Sequence, residues 1–299
     1  MSMIALMGAL EIGLVFALVA LGVLISFRIL NFPDLTADGS FPLGGAVAAT
    51  LIAGGHDPYT ACLIAMIAGA AAGWCTAWLN VRLNILQLLS SILVMIALYS
   101  INLRIMDAPN VPLIGAPTVF SPLIGDDFES AYLVQPAVLA AVVIAAKLLL
   151  DVFFASQAGL AMRATGANPR MARAQGISTD RMTLAGMALS NALIALAGAL
   201  YVQTQGGADI SMGIGTIVVG LAAVIIGETL IPARTLWVVT LATVLGALLY
   251  RVMIAFALNA EFIGLAAQDL NLVTALLVGF ALVLPLLKAK ANAARGRTA

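Results

Sequence analysis

The sequence predicts an all-α, polytopic membrane helical bundle, and three observations carry that prediction. Of the 299 residues, 63% are hydrophobic and only 9% are charged, whereas soluble domains carry about 25% charged residues. Mean hydropathy is +1.10, and several apolar runs are long enough to cross a bilayer as helices. The basic residues collect at one side of the alternating runs. We therefore expect a single transmembrane domain over residues 1–299.

The apolar runs predict about nine transmembrane helices. They cover residues 3–26, a short run of about ten residues that ends at Gly54, and then 59–79, 84–106, 133–150, 183–203, 216–227, 235–257 and 270–287. With the N-terminus outside and the C-terminus inside, every lysine and arginine except Arg104 and Arg251 falls at the inner side. The positive-inside rule favours this orientation.

A first break in the helical pattern lies between Arg28 and Gly45, where prolines, glycines and aspartates interrupt a potential helix. Two interpretations remain open. Arg28 favours a short cytoplasmic loop, but the apolar run that follows is too short to span the membrane by itself. The alternative is a helix broken at membrane depth, whose ends face a transport path, because polar backbone survives there only against protein or a cavity.

A second break, Asp209-Ile-Ser-Met-Gly-Ile-Gly215, echoes the first one, Asp38-Gly-Ser-Phe-Pro-Leu-Gly-Gly45. Each break precedes a helix rich in Ala, Val and Ile, and the predicted topology places them on opposite sides of the membrane. Matching broken segments in oppositely oriented halves indicate an inverted-repeat transporter. We take residues 1–150 and 183–299 as the two halves.

Residues 151–182 form the longest polar interruption of the chain and join the two halves. They contain four arginines, at positions 163, 170, 173 and 181, against two aspartates. The segment Gly166-Ala-Asn-Pro169 can end one short helix and begin another, because proline fits the first helical turn. We expect a short helix from Pro169 to Gln175 that ends at Gly176. An ordinary basic loop is the alternative.

The segment from Arg163 to Ser178 resembles the cytoplasmic coupling loop of ABC importer permeases of the branched-chain amino acid and ribose type. In that family the loop docks into a groove on the ATPase subunit, Gly166, Asn168 and Pro169 would set its shape, and Arg170 and Arg173 would meet acidic groups. The residues for which the resemblance implies ATPase coupling are Arg163, Gly166, Asn168, Pro169, Arg170, Ala172, Arg173, Gly176 and Ile177.

The resemblance continues in both breaks. The first break is similar to a family segment near the solute pathway. Its sequence from Pro33 to Ser40 most resembles the subgroup assigned to tryptophan or tyrosine uptake. The stretch Asp209-Ile-Ser-Met-Gly213 is similar to one that sugar-type relatives carry. The resemblance implies a pathway built from Asn31, Phe32, Asp34, Asp38, Ser40, Asp209 and Ser211.

Several kinds of chemistry are missing from the sequence. No Gly-Lys pair is present, so the chain has no Walker A loop. Paired Cys or His motifs for a metal and a G-x-S-x-G nucleophile motif are absent too. A net charge of zero gives no indication of nucleic-acid binding. We expect no catalytic residue, no metal and no cofactor in this chain, with ATP-Mg bound in partner subunits.

The sequence therefore predicts the permease subunit of an ABC importer in the bacterial cytoplasmic (inner) membrane, with an amino acid as solute. The resemblance implies a homodimer, two copies of an ABC ATPase subunit and an extracytoplasmic substrate-binding protein. Three alternatives stay open: an ABC importer of a sugar or nucleoside, an ion-coupled secondary transporter that uses membrane carboxylates such as Asp34 and Glu228, and a membrane subunit that transports nothing.

Overall fold

The computed structural model describes residues 3–123, 128–231 and 235–258, together with residues 276 and 279. This part of the chain is helical apart from one small two-stranded sheet. Its helices are α1 (Met3–Val23), α2 (Ala37–Ala53), α3 (Pro58–Leu83), α4 (Gln87–Met106), α5 (Phe128–Ala155), α6 (Gln157–Ala167), α7 (Pro169–Ala174), α8 (Thr179–Gln205), α9 (Thr216–Leu230) and α10 (Leu236–Leu258), and its strands are β1 (Asn110–Pro112) and β2 (Gly207–Asp209).

Six stretches of the described chain are helical, long and apolar enough to cross a membrane: Leu6–Ile29, Pro58–Leu83, Gln87–Met106, Leu133–Ala155, Thr179–Gln205 and Leu236–Phe256. Each coincides with a predicted run, so a polytopic helical membrane protein is confirmed. The predicted count of nine is not. The two short runs form α2 and α9, of 17 and 15 residues, below the roughly 20 residues that a span needs. The ninth run, 270–287, lies outside the described residues, apart from two isolated positions.

The helix boundaries follow from local sequence. Asp57 caps α3 by accepting a hydrogen bond from the backbone N–H of Thr60 at 3.0 Å, and Pro58 fills the first helical position. Asn84 ends the same helix in the left-handed conformation, which Asn tolerates better than most residues. These signals keep α3 and α4 as two separate antiparallel crossings joined by a turn of three residues.

Helices α1 and α8 are antiparallel neighbours at the centre of the bundle. The hydroxyl of Ser190 donates to the carbonyl of Gly22 at 2.7 Å, and the rings of Phe16 and Tyr201 lie 6.3 Å apart nearer the other end. Both helices are almost entirely buried along their contact. They therefore form the shared core of the two halves.

The short helices follow these two central helices in opposite directions. Helix α2 runs parallel to α8, since Ser40 contacts Asn191 and a Cβ at Gly44 would meet Ala195 one turn further on. Helix α9 runs parallel to α1. Gly220 lies against Val23, and Glu228, later in α9, forms an ion pair with Arg28, which follows α1. Because α1 and α8 are antiparallel, α2 and α9 point toward opposite ends of the bundle.

The two halves exchange helix contacts. Helix α1 packs against α9 and α10 of the second half, and α8 packs against α2 and α3 of the first half. Within each half the second and third helices, α2 with α3 and α9 with α10, also pack together. The same pattern of partners thus occurs twice, and neither half can separate without exposing the central helices.

Small residues permit the closest helix contacts. A Cβ at Gly198 of α8 would lie 1.9 Å from the Phe41 carbonyl oxygen, and one at Gly73 of α3 would lie 2.2 Å from the Met187 carbonyl oxygen. Backbones that approach this closely are typical of membrane helix pairs, where dispersion contacts and hydrogen bonds replace the hydrophobic effect. The bundle around α8 therefore depends on glycine at these positions.

The only sheet in the described part joins two loops at one end of the bundle. Strands β1 and β2 pair antiparallel, with Asn110 opposite Asp209, and the backbone N–H of Ile210 donates to the Pro109 carbonyl at 3.0 Å. The predicted runs 84–106 and 133–150 leave residues 107–132 as an outer loop, and the sequence does not predict this pairing. The sheet fixes the start of the second break against the loop that follows α4.

Candidate functional site

The first break is a buried interruption between two helices. Helix α1 widens into a π-helical turn at Leu24–Ile29, and Asn31 then adopts a positive φ of 53°. Phe32 is 0% exposed and Asp34 is 1% exposed. An exposed loop would leave these side chains in water, so the observed geometry is that of a broken helix with Asp34, Thr36 and Ser40 inside the protein.

Asp34 and Ser40 are held by one amide on α8. The Asn191 side chain donates from Nδ2 to Asp34 Oδ2 at 2.8 Å and accepts at Oδ1 from the Ser40 hydroxyl at 2.7 Å. The other Asp34 oxygen accepts from the backbone N–H of Thr36 at 2.9 Å. All these groups are buried. Neither Asp34 nor Ser40 lines the three cavities described below, and both support the break from within.

A second buried contact joins the break to α3. The hydroxyls of Thr36 and Thr76 lie 2.7 Å apart, and Thr76 also contacts the Ala72 carbonyl of its own helix. Both threonines are 0% exposed. The break is therefore attached by side-chain hydrogen bonds to two different helices, α8 and α3.

The two breaks meet at Asp38. Its Oδ1 accepts from the backbone N–H of Ile217 at 2.8 Å, and its Oδ2 lies 3.4 Å from the backbone N–H of Gly215. A Cβ at Gly213 would lie 2.1 Å from the Asp38 carbonyl oxygen. Asp38 on the first turn of α2 thus caps α9, and the N-termini of the two oppositely directed short helices lie side by side.

The second break is more exposed than the first. Asp209 is half-buried and forms a local turn, because its Oδ1 accepts from the backbone N–H of Ser211 at 2.7 Å and from the Ser211 hydroxyl. Ser211 is exposed, and Ile214 is 82% exposed. The structure therefore brings two of the predicted pathway residues, Asp38 and Ser211, to one surface and holds Asp209 just behind them.

A cavity of about 520 Å³ lies where the two breaks meet. Its wall is formed by α2, α4 and the segment between β2 and α9, and it consists of Asp38, Gly39, Pro42, Met95, Ile96, Tyr99, Ser100, Asn102, Ile210, Ser211 and Ile214. Most of these side chains are apolar, and one carries a negative charge. The α4 residues in this wall were not predicted as pathway residues.

A larger cavity of about 1010 Å³ lies at the opposite end of the bundle, and its lining includes Asn31, Arg163 and Gly166. Across it, Arg28 Nε donates to Glu228 Oε1 at 2.7 Å, which joins the end of the π-helical turn to the end of α9. Phe32 lines a third cavity, of about 450 Å³, beside the start of α7. Asn31 and Phe32 therefore face this end rather than the Asp38 cavity.

The polar stretch after α5 contains the predicted short helix. Asn168 ends α6 and caps α7, because its Oδ1 accepts from the backbone N–H of Met171 at 3.1 Å, and Pro169 takes the first helical position. Helix α7 ends before Gly176, whose φ of +81° lies in the left-handed region that favours glycine. The prediction of a helix from Pro169 that stops at Gly176 is confirmed.

The predicted coupling segment, residues 163–178, contacts the first break through a close backbone approach. A Cβ at Gly166 of α6 would lie only 1.8 Å from the Ile29 carbonyl oxygen. Ala172 is 3% exposed and anchors α7, and Ile177 is half-buried. Any displacement of α6 must therefore act directly on the π-helical turn that precedes Asn31.

The arginines of this segment differ in their partners. Arg163 and Arg170 are exposed. Arg173 donates from Nε to the Thr179 hydroxyl at 2.7 Å and lies 3.4 Å from an Asp180 oxygen, so it ties α7 to the start of α8. The role of all three at an ATPase surface stays a prediction.

Sequence reasoning missed several residues of this site. Asn191 is an amide in the middle of the apolar run 183–203, which is the signal that could have found it. Asn102 is likewise an amide within an apolar run, 84–106, whereas Tyr99 gave no such signal, because α4 otherwise looks like an ordinary apolar span. Among the described residues, no three His, Cys, Asp or Glu side chains are grouped so as to hold a metal ion.

Buried polar breaks inside a bundle of apolar spans define a polytopic transport protein, and comparisons with known proteins specify which class. The family model described as "Branched-chain amino acid transport system / permease component" matches residues 5–287. The chain therefore belongs to this permease family. The resemblance found in the sequence is confirmed, and the chain is a membrane-spanning permease subunit of an ABC-type importer with a transport role.

The chain is 40% identical over 266 residues to the tyrosine transport system permease protein of Clostridioides difficile (strain R20291), which covers 89% of this chain and 86% of the relative. It is 37% identical over 223 residues to the uncharacterized protein RP368 of Rickettsia prowazekii (strain Madrid E), covering 75% of this chain and 76% of the relative.

A solved structure titled "PsaBC from Streptococcus pneumoniae in complex with Fab" contains a chain of similar fold. Its TM-score to this protein is 0.51 at 15% sequence identity, and the match covers 93% of this chain and 89% of that chain. At this identity the likeness concerns the fold alone.

Proposed function

We propose that two copies of this chain form the solute pathway of an ABC importer for an aromatic amino acid, with tyrosine as the first solute to test. Two copies of an ATPase subunit supply the driving force, and they bind the ATP-Mg. The single observation that carries the proposal is the junction of the two breaks, where Asp38 of α2 caps α9 beside an open cavity.

The junction supports a pathway between two copies. The cavity beside Asp38 opens on the α4 face, where Leu93, Ile96 and Tyr99 are about half exposed. A carboxylate and a serine hydroxyl that opened toward lipid would be costly. A second copy that covers this face would place both polar groups on a shared path, which one copy alone leaves open on one side.

The arrangement of the halves supports alternating access. The repeated contact pattern, with α1 on α9 and α10 and α8 on α2 and α3, is that of two inverted repeats whose short helices meet at a central site. The full protein then has about nine transmembrane helices, with the N-terminus outside and the C-terminus inside the bacterial cytoplasmic membrane.

The coupling segment supports mechanical transmission. ATPase subunits would contact α6 and α7 from the cytoplasm, where Arg163 and Arg170 are free to meet acidic groups. Closure of the ATPases pushes these helices, and Gly166 passes the displacement to the carbonyl of Ile29. Helix α9 then shifts relative to the first break, and the cavity changes the side to which it opens.

The solute assignment rests on two supports. The relative with 40% identity is named a tyrosine transport system permease, and the residues from Pro33 to Ser40 resemble the tryptophan and tyrosine subgroup. An extracytoplasmic substrate-binding protein would deliver the solute at the end that carries the β1–β2 sheet and the turn before α3. That end is opposite to α7.

The test uses Gly176→Trp with Gly55→Trp as its matched control. Both glycines have positive φ, at +81° and +82°, and neither would have an atom within 4 Å of an added Cβ, but they lie at opposite ends of the protein. We expect Gly176→Trp to abolish co-purification of the ATPase subunit and ATP-driven tyrosine uptake, while the permease stays folded. Gly55→Trp should keep the ATPase subunit bound.

Normal uptake by Gly176→Trp would refute the coupling assignment. Loss of the ATPase subunit in both variants would show that the effect comes from misfolding, which the elution profile of each permease in detergent reports independently.

A further inference from the structure

The cavity at the junction of the breaks has the size and the lining of a small-molecule site. Its volume is about 520 Å³, within the range of roughly 300–1,000 Å³ that such sites occupy. Apolar side chains dominate the wall, including Met95, Tyr99 and Ile214, and a few polar groups lie among them. Binding sites for small organic solutes combine these two features.

Asp38 is the one acidic side chain among the described residues of the cavity wall. Its two oxygens accept the backbone N–H groups of Gly215 and Ile217, and the N-terminus of the 15-residue helix α9 stabilises the ionised form. Each carboxylate oxygen can accept a further hydrogen bond. Among the described residues, no lysine or arginine lines the wall, so the carboxylate is available to a cationic ligand group.

Asn102 supplies a second acceptor in the same wall. Its Nδ2 donates to the Gly39 carbonyl at 3.2 Å, which fixes the orientation of the amide because a carbonyl needs a donor. Its Oδ1 is buried and has no hydrogen-bond partner in the described part of the chain. A buried acceptor without a partner costs about 1–3 kcal/mol. A ligand N–H would remove that cost.

The apolar part of the wall suits an aromatic side chain. Tyr99 is 55% exposed and Ile214 is 82% exposed, so both side chains are accessible to a ligand in the cavity. Aromatic rings prefer offset or edge-on contacts with other rings, and a ring also attracts a nearby ammonium through its negative face.

We propose that this cavity binds the ammonium end of a zwitterionic aromatic amino acid, with Asp38 as its counter-ion, the Asn102 carbonyl as a second acceptor and Tyr99 against the side chain. The inference rests on the proposed function and names the residues that recognise its solute. Since none of the described residues in the wall is basic, the solute's carboxylate is dispensable here and its amine is essential.

The direct test measures binding to the full permease in lipid nanodiscs by saturation-transfer NMR. The three probes are L-tyrosine, tyramine, which lacks the carboxylate, and 3-(4-hydroxyphenyl)propanoate, which lacks the amine. We expect L-tyrosine and tyramine to bind with similar affinity and the propanoate at least about tenfold more weakly. Propanoate binding equal to that of tyramine, or no binding of any probe, would overturn the proposal.

The variant Asp38→Asn isolates the charge, because an asparagine Oδ1 can still cap α9. We expect it to weaken L-tyrosine and tyramine binding by about tenfold or more, and Asn102→Leu to weaken both by a smaller factor. The control is Asp107→Asn at the C-terminus of α4, where φ is +53° and the side chain lies outside the cavity. Unchanged binding in Asp38→Asn would overturn the assignment.

A parallel transport assay separates this inference from the proposed function. If the reconstituted wild-type complex imports L-tyrosine and Asp38→Asn imports it at the same rate, the binding site is wrong and the importer assignment stands. If binding in nanodiscs requires Asp38 but the wild-type complex shows no ATP-driven uptake, the site stands and the proposed function fails.

Discussion

The two breaks resemble each other in sequence, but the structure holds them by different means. The first break is buried, and side-chain hydrogen bonds from Asp34, Thr36 and Ser40 tie it to α8 and α3. The second break is more exposed, and the Asp209 side chain and a two-stranded sheet hold it. The breaks meet at Asp38, which belongs to the first and caps the helix that follows the second.

This difference indicates which of the two breaks is fixed and which can move. Moving the first break requires breaking several buried polar contacts at once, which is expensive in a medium without water. Moving the second break costs fewer buried contacts, because its exposed residues remain solvated or in contact with a partner. Segments with few buried contacts supply the movable elements of most proteins. We therefore expect α9 to shift against a stationary α2.

The largest effect should come from Asn191→Leu, which removes the amide that holds Asp34 and Ser40. Hydrogen bonds inside membrane proteins average about 0.6 kcal/mol, but leaving a buried carboxylate without its partner costs more. We expect the free energy of unfolding in mixed detergent micelles to fall by about 2–4 kcal/mol. The matched change at the second break, Asp209→Ala, should cost no more than about 1 kcal/mol. Equal losses at both positions would contradict the contrast.

The next effect tests the close packing that supports the first break. Gly198→Ala would place a Cβ 1.9 Å from the Phe41 carbonyl oxygen, so α2 and α8 must separate. We expect a loss of about 1–3 kcal/mol in the same unfolding measurement. The control is Gly8→Ala on α1, where no atom lies within 4 Å of an added Cβ. A stability of Gly198→Ala equal to that of Gly8→Ala would mean that the helices are packed less closely than described.

A smaller effect is expected for Thr76→Val, which keeps the shape of the side chain and removes its hydroxyl. Thr36 then loses its partner on α3 but keeps the backbone contact with Asp34. We expect a loss of about 1 kcal/mol. The double variant Thr36→Val, Thr76→Val should recover part of the lost free energy of unfolding, since two apolar groups then face each other. A double variant that loses the sum of both single changes would show that the two hydroxyls do not act as a pair.

The smallest effect concerns the ion pair that joins the two halves at the larger cavity. Arg28 is 65% exposed and Glu228 is 33% exposed in their side chains, and exposed pairs contribute roughly 0–1 kcal/mol. We expect Arg28→Gln and Glu228→Gln to change the unfolding free energy by less than about 1 kcal/mol each, with a coupling that fades as salt is raised. A coupling above about 2 kcal/mol in a double-mutant cycle would place this pair among the rigid contacts of the core.

Much of the architecture could be predicted from the sequence, because a membrane imposes simple requirements on the helices that cross it. A span needs about 20 apolar residues with all backbone hydrogen bonds made internally, so hydropathy marks six of the described helices. The short helix α7 was equally predictable, since Asn168, Pro169 and Gly176 are local signals whose effect does not depend on the rest of the chain. The family followed from the same segment.

The candidate site could be predicted less well, because its residues make contacts with residues far away in the sequence. Asn191 lies 157 residues from Asp34 and 151 residues from Ser40, and no local pattern brings them together. The β1–β2 pairing was missed since each strand has only three residues. Among the predicted pathway residues, only Asp38 and Ser211 line the cavity at the junction, and the α4 residues beside them, apart from the amide Asn102, carried no distinguishing signal.

The sequence by itself therefore determined the class of protein, the long spans, the positions of the two breaks and the coupling segment, since each depends on composition or on neighbouring residues. Only the tertiary structure decided that the breaks meet, that Asp38 caps α9 and that Asn191 holds the first break. Those outcomes depend on how antiparallel α1 and α8 bring the short helices together, and packing between distant segments sets that arrangement.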